Sequence, residues 1–135
     1  MIAALIFVVS AAAFLQFFVS YCRSILESTR TVNLSDRVRQ IAGIVNGRIA
    51  AADFERVLRL VHLCPGQCDD LTEIRAVTAY YRLLNAFYKL ASPAIPKAAA
   101  WAEQECSICS YFAVVALERR IVYSHNLVAQ QSNEL

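Results

Sequence analysis

The chain reads as all-α: an N-terminal single transmembrane helix followed by a small antiparallel bundle of about four helices. Three observations predict this. Residues 1–22 carry no charged side chain before Arg23. Beyond them, apolar residues recur at spacings of three and four, the period of a helix buried on one side. Glycine and proline are scarce, three of each among 135 residues, and most of them fall between the periodic segments.

The first stretch sets the rest. A helix over residues 1–22 is about 33 Å long at the helical rise, enough to cross a hydrocarbon core of about 30 Å. In lipid such a helix satisfies its own backbone groups, so it inserts alone. A cleaved signal peptide fits less well. It calls for a basic n-region, a shorter apolar run and a small-residue cleavage site at its end. Here no Lys or Arg precedes the apolar run, and Ala11, Ala12 and Ala13 lie in its middle. Residues 23–31 read as a juxtamembrane continuation of the helix, which makes 1–31 one anchor unit. Arg23, Arg30, Arg37 and Arg39 all follow the span and none precedes it. The positive-inside rule then places the domain in the cytoplasm of a single-pass cell-membrane protein.

Residues 32–123 form the expected bundle. Ser35 is a good N-cap, with Asp36 placed to meet the helix dipole. Val38, Ile41, Ala42 and Val45 share one face, and Asn46-Gly47 ends that helix. The next helix runs from about residue 51 to 63, with Phe54, Val57, Leu58 and Val61 facing inward. Pro65-Gly66 breaks it. Asp70 and Glu73 have capping-box spacing and open a helix over residues 71–90. Its apolar side carries Leu71, Ile74, Val77, Tyr81, Leu84 and Tyr88, opposite a solvated stripe of Arg75, Arg82 and Lys89. Residues 92–96 end it, and Pro96 suits the first turn of a last helix over residues 97–123 or further. Its uncharged run, residues 106–117, is too short to cross a membrane and reads as core. Residues 124–135 turn polar and read as a C-terminal tail.

Cys64, Cys68, Cys106 and Cys109 are the pattern that could carry chemistry. Four thiolates bind zinc or hold an iron–sulfur cluster. An antiparallel hairpin of the last two helices, with residues 91 and 96 level, places Cys109 beside residue 78 and about 15 Å from Cys68. Metal–sulfur bonds near 2.3 Å cannot bridge that. Cys106 and Cys109 therefore read first as small core residues that share a face with Ala113 and Ala116. His62 reads as a surface histidine and not the base of a Cys64 or Cys68 nucleophile, and His125 supports nothing specific. Asp69 and Asp70 read as capping residues. Glu103 and Glu105 fall in the early turns of the last helix, where their charge suits the dipole. Tyr80, Tyr81, Phe87, Tyr88, Trp101, Tyr111 and Phe112 read as core at helical spacing, with an interface as the second choice.

Net charge is +2, with no clustered basic face of the kind a nucleic-acid binder needs. No catalytic constellation and no cofactor site emerges. The expectation is therefore a non-enzymatic, membrane-anchored accessory, scaffolding or protein–protein interaction subunit. Its partners would be the lipid bilayer and a larger membrane assembly or a homo-oligomer. The alternative is a membrane-tethered metal or redox sensor that uses the four cysteines with zinc or an iron–sulfur cluster.

Overall fold

The computed structural model describes residues 1–29, 51–66 and 68–133, and their side chains apart from those of residues 51, 52, 68 and 69. Among them are four helices and no strand: α1 (Ile2–Thr29), α2 (Ala51–Leu63), α3 (Cys68–Ala91) and α4 (Pro96–Asn133). The helix expected after Ser35, with its Asn46-Gly47 stop, lies outside the described residues, as do Arg30, Arg37 and Arg39.

α1 is one unbroken helix long and apolar enough to cross a membrane. Every residue from Met1 to Phe17 is exposed. Cys22, Leu26 and Thr29 are buried, and Phe18, Val19 and Ile25 pack against the same core. The last turns of α1 are thus a member of the bundle as well as a continuation of the exposed apolar stretch. Cys22 Sγ lies 3.8 Å from the Ala76 carbonyl, and Phe18 meets Tyr80 edge to face at 6.4 Å. Descending α1 matches ascending α3, so the two run antiparallel.

α3 and α4 form a hairpin with the most extensive helix–helix interface among the described residues. Ser92 and Ile95 donate backbone bonds to Tyr88 and Ala91, closing the end of α3. Pro96 opens α4, where its missing N–H is harmless. Buried Ala91, Ala99 and Ala102 let the helices approach near the tip. Tyr80 opposes Glu105 and Phe87 opposes Trp101, close to the register that levels residue 91 with 96. The core then fills with Ile74, Val77, Tyr81 and Leu84 of α3 against Cys109, Phe112, Ala113 and Leu117 of α4. α2 adds Phe54, Val57, Leu58 and Val61, all buried, with Phe54 stacked on Tyr81 at 3.8 Å.

Four expectations need correction. α3 starts at Cys68, so Asp70 lies in its first turn and is not its cap. From inside the first turn the Asp70 carboxylate serves the helix dipole. Phe87, Tyr88 and Trp101 are substantially exposed, because the hairpin outruns the rest of the bundle. α4 continues as helix to Asn133, through residues expected to form a tail. They hold helix as one continuous extension of a packed segment, with their side chains almost all exposed. Glu105 lies beyond the early turns of α4 and is buried.

Arg120 ties α4 to α2. It is only 4% exposed, and its Nη1 donates to the carbonyls of Val61 and of Cys64, the latter at 3.2 Å. These carbonyls belong to the C-terminal turn of α2, where a cation is favoured and acceptors lack helical partners. A Cβ on Gly66 would stand 2.6 Å from Arg120 Nε, so glycine lets the turn close over the guanidinium. Gly66→Ala should displace that group and cost about 1–3 kcal/mol. In an Arg120→Met background the same change should cost far less. Denaturant unfolding of the four proteins forms a double-mutant cycle, and additive effects would refute the coupling.

Candidate functional site

The structure concentrates unusual side chains at the α1–α3–α4 junction. Glu105 is 5% exposed. Its Oε2 accepts from the Tyr80 hydroxyl at 3.1 Å, and its Oε1 lies 3.6 Å from Arg23 Nη2. Tyr80 is itself fully buried. One carboxylate thereby joins all three helices at the level where α1 leaves its exposed stretch. Arg23 is largely exposed, so the ion pair is half in water and worth little alone. The Tyr80 bond is buried and carries more weight. Beside it, a polar groove of about 720 Å³ runs between α1 and α4, lined by Gln16, Ser20, Arg23, Glu27, Trp101 and Gln104 among others.

Cys22, Cys106 and Cys109 border the same junction. Cys109 is fully buried and Cys106 half-buried. Burial pushes the Cys106 thiol up to about 11, with the charges of Glu105 and Glu103 adding to it. Cys109 is raised further, first by burial and then by Cys106 and Glu105. Burial raises Tyr80, and the Glu105 charge reinforces it. Tyr81 is pushed up to about 12, chiefly by burial. Thiols held protonated in this way are poor nucleophiles and poor metal ligands.

The four cysteines singled out by spacing do not share one place. Cys106 and Cys109 sit at the junction. Cys64 lies at the far end of the bundle, its carbonyl on Arg120, roughly 16 Å along α4 from Cys109 at the helical rise. The start of α3 at Cys68 is about 12 Å along its axis from Ala76, the residue facing Cys22. Among the described residues no three His, Cys, Asp or Glu side chains are grouped to hold a metal ion. His62 is exposed, and its Nδ1 lies 2.7 Å from the Leu58 carbonyl one turn back.

Sequence reasoning missed Glu105, Cys22 and Arg120. The spacing of Tyr80 and Glu105 about the Ser92–Pro96 break was available as a signal. Cys22 was hidden inside an apolar run. A second groove, between α2 and α3, is lined by Arg59, His62, Arg75 and Arg82 around an apolar floor that includes Leu58 and Ile74.

No protein-family model matches the chain, and comparison with curated proteins and with solved structures finds no significant match.

Two outcomes follow from the junction. Tyr80→Phe leaves a buried Glu105 oxygen without its donor and should cost about 1–3 kcal/mol. Unfolding of the full chain in detergent measures it, and an unchanged midpoint would remove Glu105 as a structural pin. Alkali should also weaken the fold. The unfolded thiols ionise near 9.0 while folded Cys106 holds its proton to about 11, so above 9 the unfolded state loses protons first. The contribution is complete below 9 and lost as pH climbs through 11. A denaturation midpoint that rises between pH about 9 and about 11 would contradict this sign.

Proposed function

We propose that the chain is a single-pass cell-membrane protein whose cytoplasmic helical bundle is a non-catalytic accessory or scaffolding subunit of a larger membrane assembly. The observation that carries the reading is the free end of α4. Beyond Arg120 the helix leaves the core, yet it still presents Ile121, Val122, Leu127 and Val128, the last 66% exposed. Exposed apolar side chains on a helix that extends past its own bundle suit packing against another protein. The continuous α1 supports the same reading, because it holds that end at a fixed height above the bilayer. The basic residues that follow the span support the cytoplasmic side.

The metal- or redox-sensor alternative has less in its favour. Cys64 stands apart from the other pair, and Cys106 and Cys109 are raised thiols.

A reporter fused after Leu135 should be active in the cytoplasm, and the full chain should leave mild detergent extracts with a larger membrane assembly. Leu127→Asp combined with Val128→Asp should release it from that assembly without lowering its melting temperature, since both side chains lie outside the core. A wild-type chain that purifies as a lone monomer, or a reporter active only on the far side of the membrane, would reverse the reading.

A further inference from the structure

The α3–α4 hairpin points the same way as the exposed end of α1. From the Phe18–Tyr80 contact, α3 runs on toward the N-terminal end of α1, and α4 returns from there to Glu105. Trp101 and Gln16 line one groove, so the hairpin tip lies on the membrane side of the junction. Residues 1–17 stay exposed, which means that the tip splays away from the anchor and does not cover it.

Length carries this tip to the bilayer. α1 has 28 residues, about 42 Å at the helical rise, close to the thickness of a bilayer with its headgroups. The part of α1 that is exposed throughout, residues 2–17, is only about 24 Å long, short of the hydrocarbon core of about 30 Å. Seating the whole core on α1 therefore brings the level of Phe18 to the hydrocarbon, and α3, which continues about 16 Å from Tyr80 to Ala91, carries the tip past that level into the membrane, to a depth set by its splay from α1.

The chemistry of the tip matches that level. Leu90 is 78% exposed, Ile95 is 56% exposed, and Phe87, Tyr88 and Trp101 are about two-fifths exposed. Phe87 and Trp101 meet edge to face at 6.3 Å, forming an aromatic ledge. No acidic residue occurs from Ile74 to Ala102, while Arg75, Arg82, Lys89 and Lys97 do. The two lysines are the only ones in the chain, and they flank the turn. Tryptophan and tyrosine favour the headgroup level, and lysine reaches lipid phosphates from an apolar base.

We propose that the α3–α4 hairpin tip is a second membrane contact, docked into the anionic phospholipid surface from which the anchor emerges. Phe87, Leu90, Ile95 and Trp101 enter the acyl boundary, and Lys89 and Lys97 bind lipid phosphates. The inference rests on the reading of α1 as a membrane anchor.

Trp101 is the only tryptophan, so its fluorescence reports the tip alone. The full chain is reconstituted into phosphatidylcholine vesicles with and without phosphatidylglycerol, each carrying a shallow lipid-attached quencher. Carbonate extraction separately reports the anchor. The expected result is a carbonate-resistant chain whose Trp101 is blue-shifted, quenched from the lipid and shielded from aqueous iodide, more so with phosphatidylglycerol. Lys89→Glu with Lys97→Glu should lose most of the lipid quenching while far-UV dichroism stays the same. A carbonate-resistant chain with Trp101 open to iodide and unquenched from the lipid overturns the docked tip and leaves the anchor standing. That is also the result if the tip is reserved for a protein partner. Lipid quenching that survives the charge reversal overturns the phosphate contact. Release by carbonate overturns the anchor, and the proposal with it.

Discussion

One helix serves two environments, and the rest of the structure depends on that. Over residues 1–17 α1 is exposed throughout, and from Phe18 to Thr29 it packs with the core of the bundle. Neither half works without the other. An isolated apolar helix has no preferred rotation about its axis, while a bundle lacking Cys22, Leu26 and Thr29 would leave Tyr80 and Ala76 uncovered on one side. Because no residue between the halves breaks the helix, any tilt of the exposed half is carried into the bundle. A flexible linker would have decoupled the two.

Two buried charged groups then fix how the helices meet. Glu105 sits where α1, α3 and α4 converge, and Arg120 sits where α4 reaches the end of α2. Charges in such places contribute little net stability, because removing them from water costs about as much as their partners return. Their effect is on selectivity among packings. The apolar faces here are built from Ala, Val, Leu and Cys of similar size, and such faces tolerate sliding. A helix slip of one turn would strand Glu105 without Tyr80, or Arg120 without the carbonyls of Val61 and Cys64. The Nε and Nη2 atoms of Arg120 are buried and without a hydrogen-bond partner among the described residues, so this pin holds at some internal cost.

The parts of this fold legible in the sequence were those governed by periodicity. Phe54, Val57, Leu58 and Val61 repeat at helical spacing, and all are buried. The hairpin register followed from the single break at Ser92–Pro96. The unreadable parts were those where periodicity says nothing about what lies opposite. Phe87 and Trp101 have the spacing of core residues, but the hairpin extends past the elements that would have covered them. Glu105 looks like an ordinary charge in a mixed segment until Tyr80 is placed across from it. The last turns of α4 lack an apolar face continuous with the core, yet they hold helix, because a long helix nucleated in the core extends at little cost.

Composition closes the same account. A hydrophobic share of 58% exceeds what a bundle of this size can bury, and the excess is not scattered. Among the described residues most of it lies on the free half of α1, at the α3–α4 tip and along the free end of α4, with Leu60 and Leu63 of α2 and Leu83 of α3 apart from them. A soluble monomer of this composition would expose apolar patches beyond the few hundred Å² usual for such proteins. The three regions differ in charge. The α1 stretch has none, the tip has only cations, and the α4 end has no Asp, Glu, Lys or Arg up to Asn133 but intersperses Ser, Asn and Gln among its apolar residues. Uncharged, cationic and neutral polar–apolar surfaces suit hydrocarbon, anionic headgroups and protein respectively. Each therefore calls for a different neighbour, and the unbroken α1 carries the first of these surfaces directly into the bundle that bears the other two.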